Sequence, residues 1–138
     1  MTKCRHFDIK ELVDPETYKL YGERAWMFLS PAALSALDDL REFSGVPVTV
    51  NNWHTGGEFR YRGFRPRACS VGGEYSQHRL GNAFDCDIKG VTAEEARKRI
   101  LANKDDVRLM YITCIEDKVN WVHFDCRNIP DRIRVVQP

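Results

Sequence analysis

Residues 76–87 read SQHRLGNAFDCD, and the second half of this stretch alternates apolar and acidic side chains. From Phe84 onward, apolar residues alternate with two aspartates, Asp85 and Asp87. A period of two is typical of a β-strand with one buried face and one polar face. Residues 121–125 read WVHFD and alternate in the same way. The two stretches therefore predict two strands that carry their polar residues on a common face.

Three side chains in these stretches have the spacing of a metal site. His78 precedes the first strand, Asp85 lies in it, and His123 lies in the second strand. Two imidazoles and one carboxylate suit zinc, and three protein ligands leave a fourth position for water, as in catalytic sites. Asp87 and Asp125 each follow a ligand by two residues, so we expect them to orient the imidazole N–H groups. The competing interpretation is that the histidines are surface residues or hydrogen-bonded core residues.

The motifs resemble those of a known enzyme family. SQHxxGxAxD at 76–85, WVHxD at 121–125 and GFRP at 63–66 are similar to motifs of the zinc D-Ala-D-Ala carboxypeptidases and dipeptidases. The small single-domain members of phages and prophages are the most similar, and the resemblance runs from about residue 47 to residue 127. It implies a zinc peptidase that cleaves peptidoglycan stem peptides, with a hedgehog-like zinc fold. The implied zinc ligands are His78, Asp85 and His123, and the implied substrate-binding residues are Arg65, Ser76, Gln77 and Trp121. Arg65 would hold a substrate carboxylate or the developing oxyanion.

The general base is where the chain departs from that family. Family members carry an acidic residue three positions before the last histidine, where this chain has Asn120. A neutral amide cannot accept a proton from water. The related hedgehog signalling domains carry an acid six positions before that histidine, which corresponds to Asp117 here, and Glu116 precedes it. We therefore predict Glu116 or Asp117 as the base. The alternative is that both are solvated turn residues, and that the chain is a non-catalytic zinc-binding module of a phage structural or cell-wall-binding protein.

The rest of the chain predicts a single α+β domain over residues 1–138, with a helical N-terminal part (1–45) and a metal-site core (46–138). Capping and apolar spacing predict helices that begin at Pro15, Pro31 and Ala93. We expect an antiparallel sheet of four to five strands with the helices on one side. Its strands are predicted at 46–50, 84–88, 107–115 and 121–126, with residues 132–138 as a tail or an edge strand.

A long segment between residues 55 and 75 is predicted to be a functional loop. It contains four arginines interleaved with aromatic residues: Arg60, Arg62, Arg65 and Arg67. Arginine suits a peptide carboxylate because its guanidinium forms two parallel hydrogen bonds. The alternatives are binding of single-stranded nucleic acid, and arginines that are solvated or paired with nearby acids.

Composition narrows the possible partners and compartments. The formal net charge is +1, from 21 basic and 20 acidic residues, so nothing global favours nucleic acid. No apolar run approaches the roughly 20 residues that span a bilayer, and no secretory signal is visible. Five cysteines without a C-x-x-C pair predict reduced thiols. We expect a monomer made in the cytoplasm, which acts at the cell wall after lysis or on a virion.

Overall fold

Local signals set the ends of the three α-helices in the computed structural model, which describes all 138 residues. Helix α1 spans Pro15–Tyr21, α2 spans Pro31–Ser44 and α3 spans Ala93–Ala102. Each begins after a capping side chain that accepts a backbone N–H of the first turn: Asp14, Ser30 and Thr92 respectively. Helix α2 is followed by Gly45, which adopts the left-handed conformation that favours glycine. The predicted helices are therefore confirmed.

Five strands form one mixed sheet. They are β1 (Val48–Thr49), β2 (Ala83–Ile88), β3 (Cys114–Glu116), β4 (Val122–Asp125) and β5 (Arg134–Val136). Their order across the sheet is β1-β2-β4-β3-β5. All neighbours are antiparallel except β3 and β5, which run parallel. The predicted α+β fold is confirmed, and the C-terminal segment supplies the edge strand.

A single hydrophobic core of 24 buried residues lies on one side of the sheet and includes residues from both the N-terminal part and the sheet. Strands β2 and β4 contribute Phe84 and Phe124, both fully buried. Helix α2 contributes Leu34, Leu37 and Leu40 from one apolar stripe. The helical part is thus the packing partner of the sheet's apolar face.

The long strand predicted at 107–115 is wrong except at its last two residues. Val107–Leu109 form a 3-10 turn, and the strand begins only at Cys114. Asp106 accepts a hydrogen bond from the backbone N–H of Arg108 and so caps this turn. Several apolar residues of the segment face outward, since Val107 is 71% exposed and Met110 is 52% exposed. These residue types are common in strands, but here their side chains are exposed and do not pack in a sheet, which is why the prediction fails.

The N-terminal part also supports the loop that leads to β2. The Phe64 N–H donates to the Leu12 carbonyl, and the Phe28 and Phe64 rings stack with centroids 5.0 Å apart. A side chain at Gly63 would lie 2.1 Å from that same Leu12 oxygen. The loop is therefore fixed against residues that precede the sheet in sequence.

No helix is both long enough and apolar enough to cross a membrane.

Candidate metal centre

Strand register places three polar side chains next to one another on the sheet face opposite the core. His123 of β4 is paired with Asp85 of β2 on one side and with Glu116 of β3 on the other. Directly opposed residues of neighbouring strands lie within about 5 Å of each other. The alternation that buries Phe84 and Phe124 therefore also aligns Asp85, His123 and Glu116.

His78 reaches the same point from the turns that precede β2. The Ser76 hydroxyl accepts the backbone N–H of His78, at 3.3 Å. The Nδ1 of the His78 ring lies 2.9 Å from the carbonyl oxygen of Gly63. Because a carbonyl can only accept, Nδ1 carries the proton, and Nε2 is left facing Asp85 Oδ1 at 3.3 Å. His78 would thus bind a metal through Nε2.

His123 offers the opposite ring nitrogen. Its Nε2 lies 2.9 Å from Asp125 Oδ2, and its Nδ1 lies 2.8 Å from Asp85 Oδ1. Asp125 is fully buried, and the Arg127 guanidinium donates one hydrogen bond to each of its carboxylate oxygens. The carboxylate therefore holds the Nε2 proton and directs Nδ1 toward Asp85, as outer carboxylates do for metal-binding histidines.

The ligand atoms of His78, Asp85 and His123 all lie within 4.8 Å of one another. The three residues are between 3% and 6% exposed, so most of the surface of each side chain is buried. In each imidazole one nitrogen contacts a fixed acceptor outside the cluster, and the other faces Asp85 Oδ1, from where it could bind a metal. This donor set fits a tetrahedral divalent ion with one position left open.

Buried charge explains the protonation of the cluster. Burial alone would lower the pKa of His123, but hydrogen bonds with Asp125 and Asp85 outweigh it and raise that pKa to about 9. Burial would raise the pKa of Asp85, yet hydrogen bonds with His123 and His78 hold it well below its usual range. The side chains alone therefore favour an imidazolium between two carboxylates, and a cation can take the place of its proton.

Arg65 is bound to the cluster from the loop side. Its Nη2 donates to Asp85 Oδ2 at 3.1 Å, and its Nε donates to the Tyr61 carbonyl at 2.8 Å. A side chain at Gly72 would lie 2.6 Å from Arg65 Nη1. The guanidinium is therefore held in place, and it satisfies the second oxygen of Asp85.

The cluster forms one wall of an open cavity of about 420 Å³. Other predicted site residues also line this cavity: Arg65, Ser76, Glu116 and Trp121. The arrangement brings an acid, an arginine and a candidate metal centre to one cleft. With a divalent ion bound, such a cleft would place a Lewis acid beside a proton acceptor.

No family model, curated protein or solved structure matches this chain. The family resemblance therefore remains an expectation that depends on the quoted motifs, and the metal centre depends on its geometry.

Two predicted site residues do not line the cavity. The Asp117 carboxylate lies 3.4 Å from Arg97 Nε, away from the cluster. The Gln77 side chain accepts a hydrogen bond from Asn82 and so stabilises the turn that carries His78. Asn120, at the position of the family's base, is exposed and lines a separate cavity. The geometry thus separates Glu116 from the other candidates for a base.

The prediction that Asp87 orients an imidazole is wrong. Its carboxylate accepts a hydrogen bond from Arg62 Nη1 at 2.8 Å, because the loop brings Arg62 over this end of β2. The Arg62 guanidinium also lies 3.6 Å from the centre of the Phe59 ring. Of the four loop arginines, Arg62 and Arg65 are paired with acids, whereas Arg60 and Arg67 are exposed.

Sequence reasoning missed two groups at this centre. The Gly63 carbonyl holds His78 across fifteen positions of sequence, and no local signal indicates that contact. Arg127 also lines the cavity and pairs with Asp125. Arg127 follows the last residue of β4, Asp125, by two positions, and this short spacing between an acid and an arginine was the signal that could have found the pair.

Proposed function

We propose that the chain is a zinc-dependent peptidase of the D-Ala-D-Ala carboxypeptidase type, with zinc held by His78, Asp85 and His123. One observation carries the proposal: three buried ligand atoms converge within 4.8 Å beside a cavity that also contains Glu116 and Arg65. The substrate class, peptidoglycan stem peptides, comes from the motif resemblance. A phage or prophage origin comes from the same resemblance.

Zinc in this centre would supply Lewis acidity, which lowers the pKa of water and polarises a peptide carbonyl. The chain's own residues perform the remaining steps. Glu116, opposite His123, accepts a proton from water in the cavity and delivers it to the nitrogen of the departing amine. Arg65 keeps Asp85 in its ligand orientation and presents its remaining N–H groups to the substrate carbonyl or carboxylate.

Glu116 is favoured over Asp117 as the base because only Glu116 lines the cavity of the three ligands. Asp117 is paired with Arg97 and its backbone N–H donates to Val136, so its side chain is directed elsewhere. Asp117→Asn is therefore a matched control for Glu116→Gln, since both remove one carboxylate from adjacent positions.

The test begins with metal analysis and continues with hydrolysis of purified peptidoglycan and D-Ala-D-Ala peptides. Wild-type protein should retain about one zinc per chain, and the His78→Ala variant should retain none. Glu116→Gln should keep zinc and lose about 10²- to 10⁴-fold in kcat, whereas Asp117→Asn should keep both the zinc and the wild-type kcat. A folded wild type without affinity for zinc would refute the proposal. Equal activity in wild type and Glu116→Gln would refute the choice of base.

The second candidate is a zinc-binding module without catalysis, and Asn120 is the residue that favours it. In this case the wild type binds zinc and cleaves no peptide, and the Asn120→Asp variant gains activity. Because Asn120 lies outside the cavity of the ligands, we expect that substitution to change nothing. Activity in wild type that a chelator abolishes and zinc restores would eliminate this candidate.

A further inference from the structure

The two candidate histidine ligands differ in what holds them. His78 donates to a neutral backbone carbonyl, that of Gly63. His123 instead contacts a carboxylate, that of Asp125, which is 0% exposed. A buried carboxylate is costly unless its charge is paired and its oxygens are hydrogen-bonded. The orientation of His123 therefore depends on whatever satisfies Asp125.

Arg127 satisfies that carboxylate almost completely. Its Nε donates to Oδ1 at 2.7 Å, its Nη2 donates to Oδ2 at 2.6 Å, and its backbone N–H donates to Oδ1 at 3.2 Å. With both oxygens engaged, the carboxylate cannot rotate, and the Nε2 contact of His123 keeps a fixed direction. The Arg127 carbonyl also accepts from the hydroxyl of Thr113, the residue before β3, at 2.7 Å, which fixes the Arg127 backbone beside the start of that strand.

We infer that Arg127 is a positioning residue for the metal ligand His123 and acts on it through Asp125. The inference rests on the proposed zinc centre. Groups that hold a ligand from outside commonly contribute about 10- to 100-fold to metal affinity. Arg127 supplies both the charge that balances Asp125 and the planar fork that orients it, and a lysine supplies only the charge.

The chain contains a matched control for this arrangement. Arg108 forms the same fork on Asp106, two residues before it: the backbone N–H and Nε donate to Oδ1, and Nη2 donates to Oδ2. Neither Arg108 nor Asp106 lines the cavity of the ligands. Arg108→Ala therefore removes an ion pair of the same hydrogen-bond geometry, on a more exposed carboxylate, without touching a candidate ligand.

The experiment measures Zn²⁺ affinity by competition with a chelating dye, and the absorption spectrum of Co²⁺ bound in place of zinc. Arg127→Ala should weaken zinc binding about 10- to 100-fold and alter the Co²⁺ spectrum, because the imidazole direction is no longer fixed. Arg127→Lys should keep the fold and still bind zinc more weakly than wild type. Arg108→Ala should match wild type in both measurements.

Two outcomes would overturn the inference, and they are distinguishable. If wild type binds neither Zn²⁺ nor Co²⁺, the proposed function fails and the inference fails with it. If wild type binds zinc and both Arg127 variants bind it as tightly, with an unchanged Co²⁺ spectrum, only the inference fails. Should Arg127→Ala prove unfolded, Arg127→Lys decides the question alone, since its ammonium still balances the charge of the buried Asp125 carboxylate.

Discussion

The two faces of strands β2 and β4 are both buried but are stabilised in different ways. On one face, Phe84 and Phe124 are 0% exposed, with ring centroids 5.9 Å apart. On the other face, Asp85 and His123 are only 5% and 6% exposed. Helices cover the first face, whereas the loop that carries Arg65 and His78 lies over the second. The sheet therefore has an apolar interior and a small polar interior, and exposure alone does not distinguish them.

The polar interior is tolerated because its charges have partners. Asp85 Oδ1 contacts both imidazoles, and Asp85 Oδ2 accepts from Arg65. Buried polar groups without partners cost about 1–3 kcal/mol each, more when charged, so such a network stabilises only as a complete set. On the apolar face each side chain contributes separately, and removing one leaves a cavity that its neighbours fill only in part. The comparison predicts that substitutions on the two faces should affect folding and metal binding to different extents.

The largest expected effect on folding is on the apolar face. Phe124→Ala should lower the free energy of unfolding by about 3–5 kcal/mol, since it removes a fully buried ring and leaves a cavity. Urea denaturation followed by circular dichroism measures this change. Val135→Ala, at a position 44% exposed in edge strand β5, is the control and should change the value by less than about 0.5 kcal/mol. Similar losses in the two variants would contradict the assignment of this face as the core.

The second-largest effect is expected in the loop that covers the polar face. Gly63→Ala should lower the free energy of unfolding by about 1–3 kcal/mol, because its new methyl group would lie 2.1 Å from the Leu12 carbonyl oxygen. It should also weaken zinc binding, since the Gly63 carbonyl holds His78. Gly73→Ala is the matched control, as a methyl group there meets nothing within 4 Å. The measurements are urea denaturation and zinc titration; equal behaviour of the two variants would show that the loop shifts freely.

Comparison with the sequence shows which features were predictable. Local signals predicted the helix starts, because a capping side chain and its N–H group lie within three residues. The period of two predicted that Asp85 and His123 share a face, and the register confirms it. The failures depend on long-range contacts: Asp87 is paired with Arg62, a loop residue twenty-five positions away. The choice between adjacent acids likewise required the pairing of Glu116 with His123 across two strands.

The smallest effect is electrostatic and concerns the pKa of His123, which rises from 6.5 to about 9 in the folded protein. A raised pKa contributes stability that is complete below about pH 6.5 and is lost as pH rises through about 9. Chelator-treated protein should therefore lose roughly 1–2 kcal/mol of unfolding free energy between pH 6.5 and about pH 8. The lowered pKa of Asp85 affects stability only at acid pH. Burial raises the pKa of Cys4, Cys86, Cys114 and Cys126 above the ordinary value of 9.0, so their effect on stability falls mostly above the pH range of this measurement.

Zinc should cancel most of this dependence, because each zinc ion must displace the His123 proton, which leaves zinc-bound protein and unfolded chain with the same protonation above about pH 6.5. Zinc affinity should rise by up to about tenfold per pH unit over the same range, so the stabilisation that zinc adds grows with pH. Urea denaturation at three pH values, with chelator and with zinc, measures both slopes. The control is His123→Gln, which should show neither slope. A flat profile for chelator-treated wild type would mean that the carboxylates of Asp85 and Asp125 do not hold a proton on His123. The two faces would then differ in the polarity of their side chains but not in the pH dependence of their contribution to stability.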